Sequence, residues 1–210
     1  MGLTPLALDA GDKRAPALDS TGTLLVYSLD TTTSTALDLY LARWNGTTFA
    51  SEGRIDALAR NGTQIDPGFD ADDTTLYFHD DAVLKASTVS SGPSFASPQP
   101  PLDLAGLATD LIRPQFSADG TIVVYWRPDY TMGYGTRPSG GTWALHDELV
   151  AQLNDEPGDL RHPTISGDAL TVVFSNQNDE LRIATRASRD AAFGASSMIP
   201  LGNDVYEPAL

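Results

Sequence analysis

Three histidines and twenty-eight carboxylates are the side chains of this sequence best suited to acid–base or metal chemistry. The histidines, His79, His146 and His162, fall at three different places in the repeat pattern described below: the end of one strand, the start of another and a loop. A metal centre needs two or three such ligands within a few ångströms of one another. We therefore predict no metal site, and nothing in the sequence calls for a cofactor.

Aspartates are concentrated around one predicted hairpin, with Asp70, Asp72 and Asp73 in its turn and Asp80 and Asp81 at its far end. Oxygen ligands at this density are found in calcium sites, but the spacing matches no standard calcium loop. A solvated hairpin is the favoured interpretation. A carboxylate pair for glycoside chemistry is compatible with so acidic a sequence, yet no two carboxylates stand out, so no catalytic residue is predicted.

A set of candidate binding residues lies at or beside the position that precedes a recurring proline. This axial set consists of Arg14, Asp66, Arg113, His162 and Glu207. If the repeats are arranged around an axis, their loops meet near it, and side chains of both charge signs there suit a peptide or a polar ligand. The alternative is that these groups pair with one another and have only a structural role.

A second candidate is the segment 128–141, PDYTMGYGTRPSGG, which is richer in aromatic residues and glycine than its counterparts in the other repeats. Within it, Tyr130, Tyr134 and Arg137 are of types that are enriched at protein interfaces. We interpret the segment either as a contact surface or as one flexible outer hairpin.

The overall charge narrows the class of partner. Thirteen basic and twenty-eight acidic side chains give a net charge of −15, which repels phosphate backbones and anionic lipid headgroups, so nucleic-acid binding is not expected. Cysteine is absent, which excludes disulfides, thiolate catalysis and zinc–thiolate sites. No apolar run approaches the ~20 residues of a membrane span, and the first ten residues do not resemble a signal peptide. Membrane insertion is not expected either.

Four segments of the sequence align without a gap over thirteen positions. They are PALDSTGTLLVYS from Pro16, PGFDADDTTLYFH from Pro67, PQFSADGTIVVYW from Pro114 and PTISGDALTVVFS from Pro163, and a fifth copy begins at Pro208. The first position is proline, the third is Leu, Phe or Ile, and the twelfth is Tyr or Phe. The spacings of 51, 47, 49 and 45 residues mark a tandem repeat.

Each repeat predicts the same local structure. A short strand leads through a turn of small, aspartate and glycine residues into a β-branched and aromatic strand, whose near-continuous apolar character indicates burial on both faces. A third strand is predicted at 37–43, 83–87, 132–137 and 181–186. An aromatic residue follows at Phe49, Phe95, Trp143 and Phe193, and a final strand is predicted at 55–58, 102–104, 149–153 and 198–201.

Four strands in ~48 residues is the size of one propeller blade. We therefore predict an all-β, single-domain β-propeller of four-stranded antiparallel blades, with repeats at 13–63, 64–110, 111–159 and 160–204 and partial repeats at both ends. Residues 3–8 match the last strand of a blade, and 205–210 match the start of a first one. A closed four-bladed ring is the first choice, because pairing these two segments hides open sheet edges. A fragment of a larger propeller is the second.

The repeat resembles that of TolB-type propellers, the Pro-Asp relatives of WD-repeat proteins. The resemblance rests on a proline, a hydrophobic residue, Ser or Asp, and an Asp-Gly turn before an aliphatic and aromatic strand, best seen in RPQFSADGTIVVYW at 113–126. Asp73 and Ala169 replace the turn glycine in two repeats, and Thr21 replaces the turn aspartate in a third. The resemblance covers about residues 13–210 and implies the propeller fold. Similar propellers serve as protein-binding modules of the bacterial periplasm, as gating domains beside hydrolases and as lyase scaffolds.

These observations predict a non-catalytic binding or scaffold module that recognises a protein or peptide through its axial loop face. The resemblance implies a location outside the cytoplasm, in the periplasm or secreted. One alternative is a carbohydrate-active hydrolase or lyase that uses the axial mouth, and another is a repeat fragment that self-associates through its terminal strands. The sequence contains no Gly-x-Ser-x-Gly elbow, which argues against a fused serine hydrolase.

Overall fold

The computed structural model describes residues 8–30, 36–90, 92, 94–107, 110–178, 180–200 and 208. These residues form four antiparallel sheets, each built from four consecutive strands that are hydrogen-bonded in sequence order. The chain divides into two compact units, unit 1 of residues 1–100 and unit 2 of residues 101–210, and each contains two of the sheets. The structure confirms the predicted all-β class and the four-stranded antiparallel blades. The single-domain organisation stays a prediction.

Unit 1 holds the first two blades. The first consists of β1 (Asp12–Leu18), β2 (Leu24–Asp30), β3 (Asp38–Trp44) and β4 (Phe49–Arg54). The second consists of β5 (Gln64–Phe69), β6 (Thr75–Asp80), β7 (Val83–Ser90) and β8 (Ser94–Phe95). Both blades contribute to one buried core, which includes Val26 and Leu41 from the first and Leu76 and Phe78 from the second.

Unit 2 holds the third and fourth blades. The third consists of β9 (Ile112–Phe116), β10 (Ile122–Trp126), β11 (Met132–Thr136) and β12 (Ala144–Leu145). The fourth consists of β13 (Leu160–Ile165), β14 (Thr171–Asn176), β15 (Leu181–Thr185) and β16 (Ser197–Met198). Their shared core includes Val124, Tyr134, Val172 and Phe174. The unit also contains 3₁₀ turns at Leu102–Leu104 and Asp147–Leu149 and the single-turn helix α1 (Ala151–Asn154).

A side-chain cap closes the turn between the first two strands of every blade. The cap is the fourth residue of the repeat, Asp19, Asp70, Ser117 or Ser166. Its oxygen accepts a hydrogen bond of 2.8–3.1 Å from the backbone N–H of the first residue of the second strand. Because this bond satisfies a backbone donor at the turn, the Ser or Asp of the repeat motif has a structural role.

The seventh repeat position has a left-handed backbone in all four blades. Its φ values are 67° at Gly22, 56° at Asp73, 66° at Gly120 and 62° at Ala169. Only glycine adopts this conformation without a steric cost. The two blades that lack the turn glycine therefore keep the geometry of the hairpin and carry local strain.

The predicted fourth strands are wrong in three blades. Residues 55–58 form a turn, 102–104 a 3₁₀ turn, and 149–153 the end of another 3₁₀ turn followed by α1, while the outer strands β4, β8 and β12 lie earlier in the chain. The segment 146–153, also predicted as strand, belongs to the same helical turns. The wrong strand predictions rested on apolar residues such as Leu58 and Leu153. Both are fully buried, but they lie in helical turns and not in paired strands. Only β16 overlaps its prediction.

The predicted pairing of the two chain ends lies outside the described residues, because 1–7, 201–207, 209 and 210 are not among them. Closure of the ring therefore stays a prediction. No helix in the described part of the chain is long and apolar enough to cross a membrane.

Candidate functional site

Each first strand carries an irregularity at the repeat proline. The strand register shifts between Arg14 and Ala17 in the first blade, and the other three blades show the same shift. The residue before the proline has a positive φ in every blade: 49° at Ala15, 58° at Asp66, 51° at Arg113 and 50° at His162. Such a conformation costs about 1–3 kcal/mol for a residue with a side chain, and it is concentrated at functional sites.

In unit 1 the two members of the axial set differ in exposure between the first blade and the second. Arg14 is exposed and pairs with Asp12 on the same strand at 2.7 Å. Asp66 is 7% exposed. Gln64, two residues earlier, is fully buried and donates hydrogen bonds to the carbonyl of Gly62 at 2.7 Å and to Asp80 at 3.1 Å.

In unit 2 the corresponding residues are cationic and aromatic. Arg113 on β9 is 2% exposed. His162 on β13 is half-buried, with Nδ1 3.4 Å from the Ser175 hydroxyl and its ring edge-on to Trp126 at 5.6 Å between centroids. Glu207, the fifth member of the axial set, lies outside the described residues. That the axial set converges on one axis stays a prediction.

His162 belongs to a group of four aromatic and basic side chains near a first strand of unit 2. We call Trp126, Tyr130, Arg161 and His162 the Tyr130 cluster. The Trp126 and Tyr130 rings stack with centroids 6.0 Å apart and planes 21° from parallel, and the Arg161 guanidinium lies 4.8 Å from the Tyr130 ring centre. Tyr130 is 40% exposed. One accessible ring thus links a tryptophan to an arginine by stacking and cation–π contact.

The backbone of Tyr130 is fixed by the turn between β10 and β11. Its φ is 62°, its N–H donates to the Arg127 carbonyl at 2.9 Å, and its carbonyl accepts from the Leu160 N–H at 2.9 Å. Asp129 accepts hydrogen bonds from the Thr131 hydroxyl and N–H, which lower the pKa of Asp129. These bonds hold the turn, and the Tyr130 side chain remains the exposed element of the cluster.

Arg161 of the cluster and the nearby Arg127 already have carboxylate partners. Arg161 pairs with Asp159 at 3.1 Å, and Arg127 pairs with Asp147 at 2.6 Å. Asp129 is a third carboxylate, on the turn that carries Tyr130. Both guanidinium groups are thus already neutralised by an aspartate.

Two hydrogen-bond donors of the cluster are buried without an acceptor among the described residues. They are the indole Nε1 of Trp126 and the Nε of Arg161. A buried donor that makes no hydrogen bond costs about 1–3 kcal/mol, and such groups are rare in folded proteins. The cluster thus presents donors whose acceptors the described part of the chain does not supply.

The aromatic segment 128–141 contains β11, which confirms the third strand predicted at 132–137. Tyr134 is fully buried, its hydroxyl accepts a hydrogen bond from Arg186 at 2.7 Å, and burial raises its pKa. Arg137 stacks on Trp143 at 4.5 Å and donates to the Gly120 carbonyl at 2.9 Å. The contact-surface interpretation is wrong for Tyr134, and Arg137 is engaged in holding its own blade together.

Trp126 and Arg161 were not among the candidate residues predicted from the sequence. Trp126 occupies the thirteenth repeat position, where the other repeats have Ser28, His79 and Ser175. A large aromatic residue at a position that is otherwise small or polar was the available signal. Arg161 gave no such signal, because only the fold brings it against Tyr130.

The carboxylates of the repeat turns in unit 2 are engaged locally. Asp119 pairs with Arg189 at 2.5 Å, and this guanidinium is the main reason why the pKa of Asp119 lies well below its usual range. The Ser166 hydroxyl similarly lowers the pKa of Asp168. Both changes favour the ionised form, whereas a general acid requires the opposite. Among the residues that the structure describes, no three potential ligands are grouped in a way that would hold a metal ion.

Comparison with known proteins identifies the fold and no family. No family model matches the sequence, and no curated protein matches it. Among solved structures, the chain is similar to the crystal structure of TolB from Acinetobacter baumannii, with 18% identity and a TM-score of 0.55. The match covers 93% of this chain and 45% of TolB, so the chain spans less than half of that protein. At this level of identity the likeness establishes the architecture: the chain has a β-propeller fold.

Proposed function

We propose that the chain is a non-catalytic β-propeller module that binds a protein or peptide, and that the partner contacts the Tyr130 cluster. The observation that carries the proposal is the 40% exposed Tyr130 ring, which contacts both Trp126 and Arg161. Trp, Tyr and Arg are the residue types that most often dominate the binding energy of protein interfaces. A ring supported on a fixed backbone also loses little conformational entropy on binding.

The carboxylates around the cluster support binding over catalysis. Asp147 and Asp159 neutralise arginines, and Asp129 caps its own turn. A glycosidase would need a pair of carboxyl groups, one of them with a raised pKa, whereas the hydrogen bonds from Thr131 lower the pKa of Asp129. The carbohydrate-active alternative therefore gains no support from this group of aspartates.

The axial set enters the proposal through His162, which belongs to the cluster. We further propose that the protein works outside the cytoplasm, on the strength of its repeat's resemblance to periplasmic propellers. Fractionation of cells that express the natural gene tests this location, and recovery with cytosolic markers only would contradict it.

Selection from a random peptide library displayed on phage tests the binding function. We expect the purified chain to enrich peptides whose affinity falls about 30-fold in Tyr130→Ala, because a hot-spot residue contributes 2 kcal/mol or more. Trp44→Ala is the matched control, since Trp44 is also 40% exposed but lies in unit 1. The proposal fails if Tyr130→Ala binds every selected peptide as tightly as the wild type does.

A further inference from the structure

We infer that the Tyr130 cluster binds an extended, proline-rich segment that also carries Lys or Arg. This inference rests on the proposed function and specifies its ligand. It combines three features: the two donors without acceptors, the pairing of Arg161 with an aspartate in an acidic chain, and the near-parallel aromatic rings.

We expect the ligand to supply hydrogen-bond acceptors to the two unsatisfied donors of the cluster. Trp126 Nε1 and Arg161 Nε are buried and have no acceptor among the described residues. A polyproline II segment has no internal hydrogen bonds, so all its backbone carbonyls are free to accept. A helix or a paired strand already uses most of its backbone carbonyls in its own hydrogen bonds, so it offers fewer free acceptors.

The charge of the surroundings disfavours the other strong acceptor, a carboxylate-rich peptide. Arg161 and Arg127 are already paired with aspartates, and the whole chain carries −15. An acidic segment would be repelled at long range, while Lys or Arg residues beside the prolines would be attracted. Neutral carbonyls with basic neighbours therefore fit best.

The aromatic geometry suits proline rings. Trp126 and Tyr130 lie 21° from parallel, and the outer ring is accessible. Grooves lined by aromatic residues bind proline-rich segments because the ligand is already extended and loses little entropy on binding.

Access to the indole N–H requires movement of a side chain. Because Nε1 of Trp126 is buried, a ligand carbonyl reaches it only after a side chain packed on the indole moves, and Tyr130 and His162 both pack there. The hydrogen bonds of the Tyr130 N–H and carbonyl keep the backbone in place. Changes of side-chain rotamer with a nearly fixed backbone are common when interfaces form.

Fluorescence anisotropy with three labelled peptides of equal length tests the inference on the full chain. One peptide is proline-rich with arginines, the second has each arginine replaced by glutamate, and the third has each proline replaced by alanine. We expect the first to bind about tenfold more tightly than either of the others, with an affinity that falls as salt is added. Equal binding of the alanine peptide, or tighter binding of the glutamate peptide, would overturn the inference.

The variant Trp126→Phe keeps an aromatic ring and removes the N–H. Loss of one hydrogen bond predicts about tenfold weaker binding of the arginine peptide, while Trp44→Phe in unit 1 should bind it unchanged. Thermal melting of each variant by circular dichroism confirms that it is folded. Unchanged affinity in folded Trp126→Phe would contradict the role of the indole donor.

The two proposals fail in different ways. If library selection yields peptides that depend on Tyr130 but contain no proline, the ligand class is wrong and the binding function stands. If Tyr130→Ala leaves the binding of all selected peptides unchanged, the binding site itself is wrong.

Discussion

Position thirteen of the repeat is Ser28 and His79 in unit 1, and Trp126 and Ser175 in unit 2. Each of these residues lies at or near the end of the second strand of its blade and pairs with the residue two places before the repeat proline. Three of the four are buried, and Trp126 is the larger and more accessible exception. The repeat maintains its fold through the capping, turn and aromatic positions, which leaves position thirteen free to acquire a function.

The end of the third strand shows the same contrast. The residue there packs on the aromatic residue of the outer strand or the loop before it, and it is Trp44 or Val89 in unit 1 but Arg137 or Arg186 in unit 2. Five arginine–aromatic contacts lie in unit 2. One backbone design therefore accepts either an apolar or a cationic interior, and the cationic version needs hydrogen-bond acceptors around it.

The largest expected loss of stability is at the middle of a blade, where the two units differ in the residue that faces a buried tyrosine. Tyr27 of unit 1 faces Tyr40 across the sheet, whereas Tyr125 of unit 2 faces Gly133. A Cβ at Gly133 would lie 2.3 Å from two atoms of the Tyr125 ring. Gly133→Ala should therefore lower the free energy of unfolding by about 3 kcal/mol, as overpacking does. Urea denaturation measures the loss.

Gly140→Ala is the control for this substitution, since a Cβ there meets no atom within 4 Å and only the left-handed φ of 69° opposes it. It should lose about 1 kcal/mol. A loss at Gly133 no greater than the loss at Gly140 would mean that the Tyr125 ring does not pack over the strand as the structure shows.

The second substitution places an apolar residue, as in unit 1, at the end of the third strand of the fourth blade in unit 2. Arg186 is 7% exposed, donates to the Ala169 carbonyl and to the Tyr134 hydroxyl, and stacks on Phe193. Arg186→Leu should cost about 2–3 kcal/mol, because it leaves two buried oxygens without a donor. Calorimetric melting checks this value.

The double variant Arg186→Leu/Tyr134→Phe removes one of those oxygens and should recover part of the loss. If Arg186→Leu alone is as stable as the wild type, the arginine is no more than a replacement for the valine that unit 1 uses.

A smaller effect is expected at the repeat turn. Gly22 in unit 1 has a φ of 67° and open space around it, while Ala169 in unit 2 adopts 62° with a side chain. Gly22→Ala should lose about 1 kcal/mol from backbone strain alone. Gly22→Asn should lose less, since Asn tolerates this conformation better. Equal stability of all three proteins in urea would show that the turn is not left-handed.

The smallest predicted effect depends on pH. The Arg189 guanidinium lowers the pKa of Asp119 in the folded state below its unfolded value of about 3.9. The stabilisation is therefore fully present above about pH 4 and is lost as the pH falls through the folded pKa. Because both side chains are substantially exposed, Asp119→Asn should cost no more than about 1 kcal/mol at neutral pH.

Melting curves of wild type and Asp119→Asn across the acid range test the linkage. The difference in stability should narrow as the pH falls below about 4, because the carboxylate then takes up a proton in the unfolded chain while the ion pair keeps it ionised in the folded one. A difference that stays constant with pH would assign the effect to the turn and not to the ion pair.

The first two strands of each blade could be predicted from the sequence because their signals are local. The aromatic residues at position twelve are all buried, and each lies on the second strand of its blade, β2, β6, β10 or β14. The outer strands could not be predicted in the same way. β8, β12 and β16 contain two residues each, too few to show an alternating pattern, so the longer apolar segments near them gave the stronger signal.

The candidate site was only partly predictable. His162 and Tyr130 were found because one precedes a repeat proline and the other lies in an aromatic segment. The burial of Tyr134 was open to prediction, since it lies two residues from Met132 on β11 and therefore on the same face. The stacking of Arg161 on Tyr130 joins two separate repeats and depends on tertiary structure alone.

Titration of two single-tryptophan variants with a library-selected peptide tests most directly whether binding resides in unit 2. One variant retains only Trp126, through Trp44→Phe and Trp143→Phe, and the other retains only Trp44, through Trp126→Phe and Trp143→Phe. We expect a saturable change in the tryptophan fluorescence of the Trp126 protein and none in that of the Trp44 protein. A saturable change from Trp44 with a silent Trp126 would contradict this expectation.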